Sequence, residues 1–261
     1  YITLSIMPLV GPLLGGFLTE VFGWRSVFVL MGGIGCIVFF VLFFFFQESL
    51  PVKDRNAISP RALCSSFTEM LRDRTFVAFL ICGMGAYGGL FAILAGLAPV
   101  MMGTMQETPS VFGLQFAIVM TVHLGAAICT GKLLRLFGIK KLLLWATVIS
   151  AIGGILILCL SLYGISTRFS ILVPTSIFVI GFALTMAPMT AGAMSNFQHM
   201  AGRTASLLGF IHQGGGALVT FLLGIFENGT PIPMVISLAF CSLISLFALY
   251  FLVLPAPLKE D

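Results

Sequence analysis

Charge in this sequence is confined to the gaps between long apolar stretches. None of its 13 Lys and Arg or 9 Asp and Glu falls within Tyr1–Thr19, Ser26–Phe46, Phe76–Met102, Ser110–Gly131, Leu142–Leu162, Ser170–Phe197, Thr204–Phe226 or Pro233–Leu254. Each of these eight stretches has about 20 residues, and a helix of that length, rising ~1.5 Å per residue, crosses a hydrocarbon core of ~30 Å. A charge at mid-membrane costs roughly 2.5–3.5 kcal/mol, so the exclusion predicts bilayer-crossing helices. A β-barrel would instead alternate apolar and polar residues in segments of about ten. The expected class is an all-α membrane protein.

Composition agrees. Hydrophobic residues make up 59% of the 261 and charged residues 8%, with a mean hydropathy of +1.13, which excludes a soluble globular domain. The net charge of +4 acquires meaning from its placement. Lys53, Arg55, Arg61, Arg72, Arg74, Lys132, Arg135, Lys140, Lys141, Arg203 and Lys259 follow the second, fourth, sixth and eighth stretches, whereas Arg25 and Arg168 occupy the alternate gaps. The positive-inside rule places the first set and both chain ends in the cytoplasm. No nucleic-acid partner is expected. Cys36, Cys82, Cys129, Cys159 and Cys241 lie in apolar runs and are read as small packing residues; no disulfide framework, metal motif or cofactor is expected. The chain starts at Tyr1 inside an apolar run, without an initiator Met or charged leader, and is read as a fragment lacking its N-terminal part.

The first stretch contains Met7-Pro8-Leu9-Val10-Gly11-Pro12-Leu13-Leu14-Gly15-Gly16. Gly11 and Gly15 stand one turn apart and, with Gly16, offer bare backbone for close helix packing. Pro8 and Pro12 each remove an amide and predict a bend. The run resembles the Gly-Pro-x-x-Gly-Gly signature on the fifth helix of antiporters in the major facilitator superfamily, with Met7 where that pattern has a further glycine. The residues alone also fit tight packing without an antiport role.

The longest gap runs from Gln47 to Thr75. Within it Ser59-Pro60 reads as an N-cap and a first-turn proline, while Leu63, Phe67, Met70 and Leu71 share a face away from Arg61, Glu69, Arg72 and Asp73. This pattern predicts a short amphipathic helix along the cytoplasmic membrane surface, and it is similar to the central linker of that superfamily. The resemblance implies the major facilitator fold, with eight of its twelve transmembrane helices here: the last two of the N-terminal bundle in 1–46, the linker in 47–75, a six-helix C-terminal bundle in 76–254 and a tail in 255–261.

Two further resemblances follow. The run from Gly131 to Lys141 is similar to a degenerate second copy of the superfamily's Gly-x-Leu-Ala-Asp-Arg-x-Gly-Arg-Lys loop: Gly131, Gly138, Lys140 and Lys141 match, and Arg135 stands at the Asp position. By its residues alone this is a tight basic turn, and the copy supports internal duplication. Gly89-Leu90-Phe91, Ala98-Pro99-Val100, Val111 to Ala117 and Ala201 to Ala217 resemble the Bcr/CflA drug-resistance transporters, with His212 where that family commonly has glutamine. This resemblance implies a monomeric, proton-coupled multidrug exporter of the bacterial inner membrane that works by alternating access. Its partners would be small amphipathic drugs, protons and membrane lipid, with the coupling carboxylate in helices ahead of this fragment. A metabolite transporter of the same fold is the alternative. Gly164-Ile165-Ser166 superficially matches a Gly-x-Ser nucleophile turn and supports a remote intramembrane-enzyme reading.

Polar residues inside the spans are sparse: Gln115, Thr121, His123, Asn196, His212 and Gln213. At depth such groups face the bundle interior or a cavity, since lipid offers no partners. His212 and Gln213, beside Gly214 to Gly216, are expected to line the central cavity and to hydrogen-bond substrate; the other reading of His212 is a neutral ring bonded to a neighbouring carbonyl. His123 is open to the same two readings. Phe91, Phe112 and Phe116 are candidates for the cavity wall, whereas Phe43 to Phe46 are expected to face lipid. Aromatic walls with few fixed polar groups suit varied amphipathic molecules.

Overall fold

A computed structural model describes residues 2–46, 59–165 and 167–255, and all regular structure among them is helical. The helices are α1 (Ile2–Phe22), α2 (Arg25–Phe45), α3 (Pro60–Arg72), α4 (Arg74–Ala98), α5 (Pro109–Leu162), α6 (Arg168–Met194), α7 (Ala201–Phe226) and α8 (Ile232–Ala248). α4 and α8 run on into π-helical turns, Pro99–Thr104 and Leu249–Val253. Among the described residues, six helices are long and apolar enough to cross a membrane, and the apolar part of α1, Pro8–Phe22, is shorter.

α5 is 54 residues long and would reach ~80 Å if straight, more than twice the thickness of a hydrocarbon core. It breaks at Gly138, where φ is 73° and ψ 173°. A Cβ resists that conformation, so glycine is what lets the chain reverse there within one residue. The turn expected over Gly131–Lys141 is therefore shorter than its composition suggests: helix continues past Arg135 to Phe137 and resumes at Ile139. Lys141 lies over the Phe137 ring at 5.6 Å, and Arg135 donates back to the Gly131 carbonyl. The two halves correspond to the fourth and fifth apolar stretches.

Polar contacts gather at two ends. At one, Asn196 Nδ2 donates to Asp73 Oδ2 (3.2 Å), Arg203 Nη1 to Ser66 Oγ (3.1 Å) and Lys140 Nζ to the Leu254 carbonyl (3.0 Å). At the other, the Ser110 amide donates to Glu20 Oε2 (3.1 Å), Thr104 Oγ1 to the Gly229 carbonyl (3.3 Å), and Arg168 pairs with Glu107. The first end carries the basic gaps and the second the nearly neutral ones, as alternation of sides requires. Asp73 serves twice, because its Oδ1 also accepts the Phe76 amide at 2.7 Å and caps α4. Asp73→Ala should therefore cost about 1–2 kcal/mol in thermal unfolding, whereas Asp73→Asn, still able to cap, should lose less.

α4 through α8 pack as one body. Phe76, Phe79, Ile93 and Leu97 of α4 are fully buried at its centre, against α6, α7 and α8. α3 docks on this body through Met70, which is completely buried, and Ser66; Leu71, expected on the same apolar face, is 48% exposed. α1 leans on α5. There a Cβ added to Gly16 would lie 2.5 Å from the Pro109 carbonyl oxygen, and one on Gly113 would lie 2.5 Å from that of Pro12, so bare backbone meets bare backbone. A Cβ added to Gly11 or Gly15 would meet nothing within 4 Å among the described residues, so of the three glycines it is Gly16 that meets α5. α2 meets α1 and has no buried residue; Phe43 to Phe46 are all exposed. The cysteine expectation holds for Cys82 and Cys241, which are buried, while Cys36, Cys129 and Cys159 are exposed on apolar outer faces.

Candidate functional site

A cavity of about 160 Å³ lies where α1, α4, α5 and α6 meet. The residues from α4 (Tyr87, Leu90 and Leu94) and α5 (Met120, His123 and Ala127) are spaced by whole turns, which places them on one stripe of each helix; α6 adds Phe182, the adjacent Ala183 and Met186, and α1 adds Pro8. Pro174 and Pro188 lie within α6, and Phe182 and Met186 fall between them.

An aromatic cluster forms the wall. Tyr87 meets Phe182 edge-on with centroids 5.5 Å apart and stacks on His212 at 4.9 Å, and His123 stacks on Phe182 at 5.8 Å. His123 Nδ1 is 3.2 Å from the Val179 carbonyl, and since a carbonyl only accepts, that nitrogen carries the proton. One ring edge is thus used to orient the side chain across the cavity. His212 hydrogen-bonds the Leu80 carbonyl, and its Nε2 is buried without a hydrogen-bond partner among the described residues. A Cβ on Gly83 would collide with that imidazole, so glycine at 83 is what admits the ring between α4 and α7.

Of the residues singled out from sequence, His123 lines this cavity directly. His212 is one ring removed, behind Tyr87. Gln213, its neighbour, is exposed on another side of α7, because successive helical residues point about 100° apart. Phe91 packs over Gly216 of α7. Phe112 and Phe116 pair with each other at 5.9 Å, and Gln115 is half-buried with its Oε1 unpartnered among the described residues; these three are not in the cavity lining. Gly131, Arg135, Gly138 and Lys140 lie beyond Ala127 toward the basic end of α5, Gly131 one turn on from it, and are not in the cavity lining. The sequence reading misses Tyr87, Phe182, Met120 and Met186. Their signal is the stripe spacing, which cannot be told from core packing without the neighbouring helices. It also misses Glu107, a buried carboxylate whose partner is the exposed Arg168.

Bilayer-length helices with charge held at both ends define a multi-pass membrane protein. The family model described as Major Facilitator Superfamily matches residues 1–220, and the chain belongs to that family of transporters. It is similar to the bicyclomycin resistance protein homolog of Haemophilus influenzae, at 23% identity over 253 residues, covering 96% of this chain and 63% of the relative. It is also similar to multidrug resistance protein D of Escherichia coli, at 24% identity over 219 residues covering 83% and 54%. A third relative is the chloramphenicol resistance protein of Pseudomonas aeruginosa, at 24% identity over 239 residues covering 89% and 55%. The chain spans between about half and two-thirds of the length of these curated relatives. Membership in a transporter family removes the enzyme reading; Ser166, on which that reading drew, lies outside the described residues.

Proposed function

We propose that the protein is a multidrug exporter of the bacterial inner membrane that exchanges small amphipathic drugs for protons by alternating access. The observation that carries this reading is the aromatic, polar-poor cavity at the junction of α1 with α4, α5 and α6. Such walls hold varied apolar shapes, because contact with a ring face tolerates many partners where a fixed charge would select one. At about 160 Å³ the cavity is smaller than the ~300–1,000 Å³ of a drug-sized site, so it forms one part of a site whose remaining wall belongs to the further helices of the whole transporter. The names of the relatives support drugs as the cargo.

On this reading α1 and α2 are the last helices of the N-terminal lobe, and α4 to α8, with α5 counted as two, are the six of the C-terminal lobe. The basic end faces the cytoplasm. Glu20 and Glu107 sit at the opposite end from the basic gaps, and on this reading the proton-exchanging carboxylate belongs to the other helices of the intact carrier. Two measurements test the proposal in the intact transporter. Tyr87→Ala and Phe182→Ala should each weaken drug binding about five- to tenfold, as expected for the loss of one aromatic contact worth ~1–1.5 kcal/mol. Adding drug to inverted vesicles should move protons against the drug flux. Unchanged binding in both variants would take the cavity out of the drug path, and drug flux without proton movement would remove the antiport.

A further inference from the structure

The junction between α3 and α4 forms a second feature, unrelated to the cavity above. A groove of about 560 Å³ runs there between Arg72 and Arg74 on one side and the π-helical end of α8 on the other, with Val77, Phe251 and Leu252 along its length. That is many times the ~30 Å³ share of one water. Both arginines are exposed. Among the described residues the one ion pair is Arg168–Glu107, at the opposite end, so neither Arg72 nor Arg74 has a carboxylate partner there. Asp73, which lies between them in sequence, is held elsewhere by the Phe76 amide and Asn196. The head of the groove is therefore positive.

Its body is apolar. Phe251 is 55% exposed and Leu252 40%, and Leu71, the residue that departs from the buried face of α3, borders the same groove at 48%. The groove begins at the first turn of α4 and the last turn of α8, the depth at which the headgroups of a bilayer give way to hydrocarbon. Two guanidiniums without a carboxylate among the described residues, set above an apolar channel at that depth, match a phosphate that carries acyl chains. A free phosphate would leave the channel unfilled.

We propose that this groove binds an anionic phospholipid, its phosphate between Arg72 and Arg74 and an acyl chain along Val77, Phe251 and Leu252. The inference needs the chain to span the membrane; it rests on the functional reading above only for naming the leaflet, which would be the cytoplasmic one. The bound lipid would tie the linker helix to the first helix of the following bundle.

The test is native mass spectrometry of the purified transporter offered equal amounts of phosphatidylglycerol and phosphatidylcholine with identical chains. Each arginine near a membrane surface is worth roughly a fivefold preference, so the wild type should retain phosphatidylglycerol over phosphatidylcholine about twenty-five-fold. Arg72→Gln with Arg74→Gln should bring the ratio near one, and Arg72→Lys with Arg74→Lys should keep most of it, which separates lost charge from lost folding. Millimolar inorganic phosphate should not displace the lipid. Equal retention of the two lipids by the wild type, a preference untouched by the glutamine variant, or displacement by inorganic phosphate would each overturn the proposal. Drug transport enters none of these readouts, so the lipid site and the export reading fail separately.

Discussion

If the protein exports drugs as proposed, Gly113→Val is expected to reduce that export by the intact transporter to background while leaving the body formed by α4 to α8 folded. The Cβ that valine introduces would lie 2.5 Å from the Pro12 carbonyl oxygen and 3.3 Å from its carbon, against a backbone that cannot rotate aside. Replacing glycine inside a helix gains up to ~1 kcal/mol in propensity, but overpacking against a rigid partner costs roughly 1–3 kcal/mol and is relieved only by separating the helices. Pro8, one turn from Pro12 on α1, lines the cavity, so a displaced α1 carries part of the cavity wall with it. Gly16→Val should behave alike through its contact with Pro109. Gly125→Ala, on the same helix as Gly113 but with nothing within 4 Å, should transport normally. Normal export by Gly113→Val would show that the seam yields and that its closeness is not needed.

Gly181→Ala is expected to cost more stability than a single methyl added at Gly16 or Gly113. Its Cβ would collide with Ser150 Oγ and with the backbone of Ala146 and Ser150 on α5, and Gly153 on α5 in turn faces the backbone of α6, where an added Cβ would lie 2.6 Å from the Phe178 amide. The two glycines are the close points of the most extensive helix pair in the structure. A loss of about 3 kcal/mol, the upper range for overpacking, should appear as a lower unfolding temperature in detergent and a poor yield of folded protein. Because Gly153 and Gly181 serve one interface, the double substitution should cost less than the sum of the singles. A Gly181→Ala protein as stable as the wild type would mean that the α5–α6 contact is looser than its geometry.

These glycines show how far the chain is legible from its residues alone. Gly11, Pro12, Gly15 and Gly16 mark α1 as a close-packing helix, and it is one, yet only Gly16 of the three glycines meets α5. Gly138 reads as part of a basic turn, and its positive φ is the whole of that turn. His123, Phe91, Phe112, Phe116, His212 and Gln213 stand out by residue type, and the structure sends them in different directions: His123 into the cavity wall, His212 behind Tyr87, Phe91 onto Gly216, Gln213 outward. The amphipathic pattern of residues 60–72 does predict α3, because a stripe against a polar face is written locally.

Helical class, membrane residence and the alternation of basic and neutral ends can all be read from the linear order of residues. A bilayer penalises each charge by its depth alone, so the solvent imposes its pattern on every segment independently. Which face of each helix looks inward, and hence that Tyr87, His123 and Phe182 share one cavity while Arg72 and Arg74 head another, was settled only by the packed arrangement. An apolar residue satisfies lipid and protein interior equally well, so hydrophobicity carries no record of its neighbour; that choice is made where bare backbones at Gly16, Gly113, Gly153 and Gly181 let particular helices approach.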